Sequence, residues 1–156
     1  LGLDKKYSGE ITLGIETDSY DAEGKIVSEQ EVPLLNIDEI NTMLQTFTGE
    51  VEQVPPIFSA IKKEGKPLYE LARAGKEVKP ESRKVILHSV VATHYSNNKI
   101  TLDIHCGSGF YVRSLAHDLG AMIGCGAHLS GLTRTAIGPY ELSDAKKMEE
   151  IVEMFK

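Results

Sequence analysis

The sequence predicts an α+β fold built on a mainly antiparallel sheet flanked by helices. Segments of period-two alternation are interspersed with segments of helical spacing, and short turn signals rather than long crossovers join the apolar runs. No internal repeat or low-complexity tract is present. The 156 residues suit one domain with a core, and a hydrophobic content of 41% with 26% charged residues is ordinary for a globular chain.

Each element follows from its residues. Lys5 to Gly14 sets Tyr7, Gly9, Ile11 and Leu13 on one face and Lys6, Ser8, Glu10 and Thr12 on the other, a half-buried strand. Asp21-Ala-Glu-Gly24 is a turn into a second predicted strand over 25–32. Asn36 and Glu39 make a capping box for a helix in which Ile40, Met43, Leu44 and Phe47 keep helical spacing, and Thr48-Gly49 ends it. Gln53-Val-Pro-Pro56 is a stiff connection, because proline has no N–H to give a helix interior. A brief helix is predicted over 68–74. Two β-rich runs, 83–95 and 99–106, meet at Asn97-Asn98 as a hairpin. A helix over 111–123 then turns Leu115, Leu119 and Met122 to one side. A strand near 128–133 and an amphipathic helix over 144–155 follow.

The net charge of −6 conceals an asymmetry. Residues 1–52 carry 12 acids and 3 bases, residues 53–84 carry 8 bases and 4 acids, and the remainder is nearly neutral. A basic stretch within an acidic protein still reaches phosphates, since binding responds to the local field. A solvated charged face accounts for the same letters. No apolar run has the length of a membrane span and no basic-then-apolar leader is present, so a cytoplasmic protein is expected. Cys106 and Cys125 fit a reduced protein better than a disulfide scaffold.

The chemistry concentrates in Gly107-Ser-Gly-Phe-Tyr-Val-Arg-Ser-Leu-Ala-His-Asp-Leu-Gly120, followed by Gly124-Cys-Gly-Ala-His-Leu-Ser-Gly-Leu-Thr-Arg134. Tyr111 and Arg113 arrive at the start of a helix, where free N–H groups and the positive dipole end favour an anion or a carboxylate. Arginine is suited to fork onto either. A plain glycine turn entering a helix accounts for the segment as well. His105-Cys106 with Cys125 and His128 contains metal-ligand letters, yet neighbours on a strand point to opposite faces. Buried apolar cysteines are therefore expected, and no metal. Gly107-Ser-Gly109 lacks the frame of a nucleophile elbow, and neither a phosphate-binding Walker loop nor a dinucleotide fingerprint occurs. His117 and Asp118 diverge by about 100° on a helix and read as surface or capping residues.

Taken together, these motifs resemble the TruB family of bacterial tRNA pseudouridine synthases, whose archaeal and eukaryotic relatives include dyskerin. The resemblance runs along nearly the whole chain. It rests on Asp4-Lys-Lys-Tyr7, Leu13-Gly-Ile-Glu-Thr-Asp18 with Asp21-Ala-Glu-Gly24, Phe47-Thr-Gly49, Gln53-Val-Pro-Pro-Ile-Phe-Ser-Ala-Ile-Lys62 and Gly65-Lys-Pro-Leu-Tyr-Glu-Leu-Ala-Arg73, besides the segment just quoted. It implies the catalytic-domain fold of those enzymes, in part. It also implies conversion of uridine 55 in the tRNA T-stem-loop to pseudouridine, without cofactor or metal. The base is flipped out of its stack, the glycosidic bond breaks, the uracil turns and C5 rejoins the sugar, an aspartate supplying nucleophilic work.

By resemblance, Tyr7 is the tyrosine that stacks on the flipped base and assists proton removal from C5, and Arg113 is the arginine that pairs with the catalytic aspartate. Tyr111 and Leu132 take substrate-pocket positions. On the residues alone, Tyr7 is equally a core or surface tyrosine and Leu132 a core leucine. Residues about 53–79 correspond to the family's thumb, which closes over the RNA, with Lys62, Lys63, Lys66, Arg73 and Lys76 as phosphate contacts. The family's nucleophile lies in a Gly-x-Leu-Asp motif of an N-terminal segment. Leu1-Gly-Leu-Asp4 has those letters, but Asp4 leads into the Lys-Lys-Tyr of the strand. The chain is therefore expected to be a C-terminal portion of the catalytic domain. The aspartate and the first part of the sheet would belong to a missing N-terminal segment, and the chain would be inactive alone. A noncatalytic RNA stem-loop binding module is the alternative.

Overall fold

The computed structural model describes residues 3–54, 62–63, 66–67, 82–138 and 140–141. In chain order the elements are β1 (Lys5–Leu13), β2 (Ile15–Thr17), β3 (Ile26–Glu29), α1 (Ile37–Gln45), β4 (Gly49–Gln53), β5 (Lys62–Lys63), β6 (Lys66–Pro67), β7 (Arg83–Ser96), β8 (Lys99–Cys106), α2 (Val112–Ile123), β9 (Ala127–Ile137) and β10 (Tyr140–Glu141). One six-stranded antiparallel sheet runs in the order β10-β9-β1-β8-β7-β4, so the α+β expectation holds. The predicted helices over 68–74 and 144–155 lie outside the described residues.

The first strand is central, pairing with β8 on one edge and β9 on the other, and it buries Ile11 and Leu13 on one face. The β7–β8 hairpin turns at Asn97 and Asn98, both at positive φ (52° and 63°), as a tight two-residue turn between right-twisted strands requires. The predicted second strand is shorter than expected, Ile26–Glu29, and pairs with β2 rather than joining the main sheet. The stretch before Pro55 is not only a connection. Gly49–Gln53 forms edge strand β4 against Arg83–Leu87. Its glutamates point away from the core while Gln53 is buried, a pattern too polar for period-two reading to flag.

Helix α1 has the predicted capping box, with Asn36 Oδ1 accepting from the Glu39 amide at 2.8 Å and Glu39 Oε1 from the Asn36 amide at 3.2 Å. It buries Ile40 and Leu44 on the sheet. It also covers the edge of β7 that β4 leaves open: Asn41 bonds both the N–H (2.7 Å) and the C=O (3.1 Å) of Ala92, and Gln45 donates to the Val90 carbonyl at 2.8 Å. Two amide side chains thus satisfy a strand edge that would otherwise hold unpaired backbone groups.

Helix α2 packs on β9 at very short range. A Cβ on Gly120 would lie 2.3 Å from the Ala127 amide nitrogen, so the close approach admits only glycine there. Leu115 and Leu119 are buried as predicted. Met122, predicted to share their side, is 47% exposed. It lies in the last turn, with its sulfur 4.0 Å from Thr46 Oγ1. Cys106 and Cys125 are free, buried thiols, as the sequence implied.

Replacing Gly120 with alanine forces backbone apart and should lower stability by about 1–3 kcal/mol, read as a lower urea midpoint at unchanged m. Gly9→Ala, whose added Cβ meets only side chains and a carbonyl at 3.6–3.7 Å, should change the midpoint little. Burial pushes the Cys106 thiol up from 9.0 to about 11. Its folded value exceeds its unfolded one, so this stabilisation is complete below the lower value and lost as pH rises through the upper. Between pH 9.0 and about 11, the urea midpoint should therefore fall more steeply in the parent chain than in Cys106→Ala.

Candidate active site

One cavity of about 450 Å³ opens where β1, β9, the loop after β2 and the start of α2 meet, and Tyr7, Tyr111, Arg113 and Leu132 all line it. Residues that lie far apart in the sequence thus share one site. Tyr7 is opposite Ile104 of β8 and Arg134 of β9, beside a register irregularity in the β1–β9 ladder. Such irregularities re-aim side chains. Burial raises the Tyr7 phenol above its ordinary value, and the neighbouring Arg134 partly offsets this. The Arg134 guanidinium stands over the ring, 5.7 Å from its centroid. Leu132 is 45% exposed and so forms a wall of the cavity, not part of the core.

The first turn of α2 is held from two directions. Tyr111 is its N-cap residue, yet no side chain caps the helix. Instead Gln53, 4% exposed at the end of β4, donates to the Tyr111 carbonyl at 3.0 Å and accepts from the Tyr111 amide at 2.8 Å. From the other side, Arg113 Nη1 lies 3.2 Å from Asp21 Oδ2. The motifs alone left Arg113 without a carboxylate inside the chain; the structure supplies Asp21. The missed signal was the Asp21-Ala-Glu-Gly24 stretch, taken as a turn and a family marker but not as the source of a carboxylate. Its aspartate also accepts from Ser19 Oγ (2.6 Å) and the Glu23 amide (3.1 Å) through Oδ1. Gly24 permits this folding, since a Cβ there would meet Ser19 Oγ at 2.2 Å. The loop therefore presents a pre-organised carboxylate, with both oxygens engaged.

Beside this pair, Tyr20 holds a positive φ of 66° and stacks on His117 of α2, ring centroids 3.9 Å apart. His117 is thus a loop–helix contact, and its Nδ1 lies 3.3 Å from Glu16 Oε1 without hydrogen-bond alignment. Asp4 is on the other side of the sheet, with Oδ2 3.3 Å from His88 Nε2 and 3.7 Å from His105 Nε2. Cys106 faces the core while His105 faces outward, so these two do not share an ion, as strand alternation required. Of the predicted phosphate contacts, Lys62, Lys63 and Lys66 fall on one two-stranded ladder, Lys63 opposite Lys66; Arg73 and Lys76 lie outside the described residues.

Comparison with known proteins fits this geometry. A family model described as "TruB family pseudouridylate synthase (N terminal domain)" matches residues 1–112, and one described as "tRNA pseudouridylate synthase B C-terminal domain" matches residues 113–156. The chain is 42% identical over 155 residues to a protein named tRNA pseudouridine synthase B from Francisella tularensis subsp. tularensis (strain SCHU S4 / Schu 4), covering 99% of this chain and 51% of that protein. It is 46% identical over 145 residues to the Aromatoleum aromaticum protein of the same name, covering 93% and 47%. The chain thus spans about half the length of the curated relatives it matches. Among solved structures, one titled "Crystal Structure of a Cbf5-Nop10-Gar1 Complex" superposes with a TM-score of 0.61 at 23% identity, over 88% of this chain and 31% of that one. A second, titled "Structure of H/ACA RNP bound to a substrate RNA containing 2'-deoxyuridine", does so with a TM-score of 0.57 at 20% identity, over 88% and 29%. These two establish a shared fold. With family models matching from end to end, this chain belongs to the TruB family of pseudouridylate synthases.

Proposed function

We propose that this chain carries the base-binding and arginine half of a tRNA pseudouridine synthase acting on uridine 55 of the T-stem-loop, and that the nucleophilic aspartate comes from a segment outside these residues. The observation that carries the proposal is the convergence of Tyr7, Tyr111, Arg113 and Leu132 on one cavity. A flipped uracil needs an aromatic face, apolar walls and a place for developing charge, and this cavity holds all three. Tyr7 offers a ring with one face against Arg134. Burial opposes loss of its phenolic proton, so stacking is the better supported of its two family roles.

Arg113 has donors beyond the nitrogen that Asp21 engages, so one guanidinium serves both Asp21 and a second carboxylate. Held that way, the incoming aspartate stays ionised and aimed at the sugar. Asp21 is the one aspartate among the described residues lining the cavity, and its oxygens are already occupied, which supports an outside source for the nucleophile. Tyr111 and Leu132 flank the base. Residues about 53–79 act as the thumb, with Lys62, Lys63, Lys66, Arg73 and Lys76 on RNA phosphates, and a tRNA substrate places the protein in the cytoplasm.

Incubated with tRNA tritiated at uridine C5, the 156-residue chain should release no tritium; release would overturn the outside source of the nucleophile. Adding a polypeptide with the Gly-x-Leu-Asp segment should restore release. RNA binding without such rescue would favour the noncatalytic stem-loop module. Replacing Lys62 and Lys63 together should weaken tRNA binding and lower the salt slope by about one for each phosphate no longer neutralised. An unchanged slope would remove the thumb assignment.

A further inference from the structure

On the face of the sheet turned away from the helices, three metal-ligating side chains converge where β1 begins and β7 and β8 run side by side. Asp4, His88 and His105 each present one ligand atom, and these atoms all lie within 4.8 Å of one another. The two imidazoles are 4.6 Å apart between centroids, tilted by 43°. Asp4 Oδ2 stands between them, 3.3 Å from one Nε2 and 3.7 Å from the other.

We propose that Asp4, His88 and His105 form a binding site for a single divalent transition-metal ion, of which zinc is the best match. Zinc bonds of roughly 2.0–2.2 Å to imidazole nitrogen and carboxylate oxygen, arranged tetrahedrally, put neighbouring donors about 3.3 Å apart. The carboxylate-to-imidazole distances of 3.3 and 3.7 Å approach that edge. Three protein donors leave the fourth position to water. The set of two imidazoles and one carboxylate suits zinc, cobalt or nickel over magnesium or calcium, which take oxygen donors.

The backbone explains how two strands and the residue leading into a third deliver these groups. In the β7–β8 ladder Leu87 is opposite Cys106 and Ser89 opposite His105, so His88 is the extra residue of a bulge. The bulge leaves His88 and Ser89 exposed in succession between buried Leu87 and Val90, bringing His88 beside His105 on the outer face. On β1, Lys6 is opposite His105, and Asp4, two residues earlier, shares that face. His88, His105 and Asp4 keep side-chain exposures of 37%, 36% and 50%, so an ion reaches them from solvent. The neighbouring Cys106 is not a competing ligand: it faces the core. The predicted absence of a metal rested on a different set of letters, His105 with Cys106, Cys125 and His128, and did not consider His88 or Asp4 as donors.

The test is calorimetric titration of the untagged, chelator-treated chain with zinc chloride, and with cobalt(II) followed by its visible absorption. One zinc per chain and the absorption of tetrahedral cobalt are expected. Outer-shell partners alone are worth roughly 10–100-fold in affinity, so His88→Ala and His105→Ala should each weaken binding at least about tenfold, as should Asp4→Asn. His94→Ala, a change at an exposed histidine further along β7, should leave binding unchanged. Absence of saturable binding would show an imidazole–carboxylate ion pair only and overturn the proposal. Equal losses in His94→Ala would do the same, by showing scattered surface coordination.

Discussion

Where the first turn of α2 sits decides everything at the cavity. That turn begins without a side-chain cap, and its leading residue is fastened through its own backbone N–H and C=O to the buried amide of Gln53. Leaving either partner unpaired in the interior costs about 1–3 kcal/mol, so the pairing is strongly directional. Tyr111 is the fastened residue and Arg113 follows two positions later; both inherit their placement from the end of an edge strand. The far end of the helix is set by the contact of Gly120 with β9. A helix pinned at both ends gives its arginine little freedom to wander.

The second constraint is electrostatic. Asp21 is held by its own loop through Oδ1 as well as by Arg113 through Oδ2. A partly buried guanidinium with a fixed partner stays oriented. Tyr20 adds to this rigidity at the price of a positive φ, its ring stacked on the helix that carries Arg113. The loop and helix therefore form a unit, joined by the Tyr20–His117 stack and the Asp21–Arg113 ion pair.

The two faces of the sheet have separate chemistries. The helix-bearing face holds the core and the cavity, whereas the outer face carries the imidazoles and carboxylate brought together by the bulge in β7. Alternation along β8 makes this separation sharp: His105 and Cys106 are neighbours in the chain and belong to opposite sides.

Much was legible in the residues themselves. Local rules settle local structure, so the capping box of α1, the paired asparagines of the hairpin and the alternation of β1 could be read directly. The family resemblance likewise pointed to Tyr7, Tyr111, Arg113 and Leu132, and all four line one cavity. Strand β4 was not legible, because an edge strand tolerates glutamates that erase its periodicity. Nor was the length of β3, set by its partner rather than by its own residues. Asp21 as the partner of Arg113, Gln53 as the clamp and His88 beside Asp4 all join residues far apart in the chain. Such pairings depend on register and strand order, which a one-residue slip or bulge changes, and no local pattern records them. Local chemistry along the chain set which elements form and which family's residues they carry; long-range pairing in the folded sheet chose which of those residues meet.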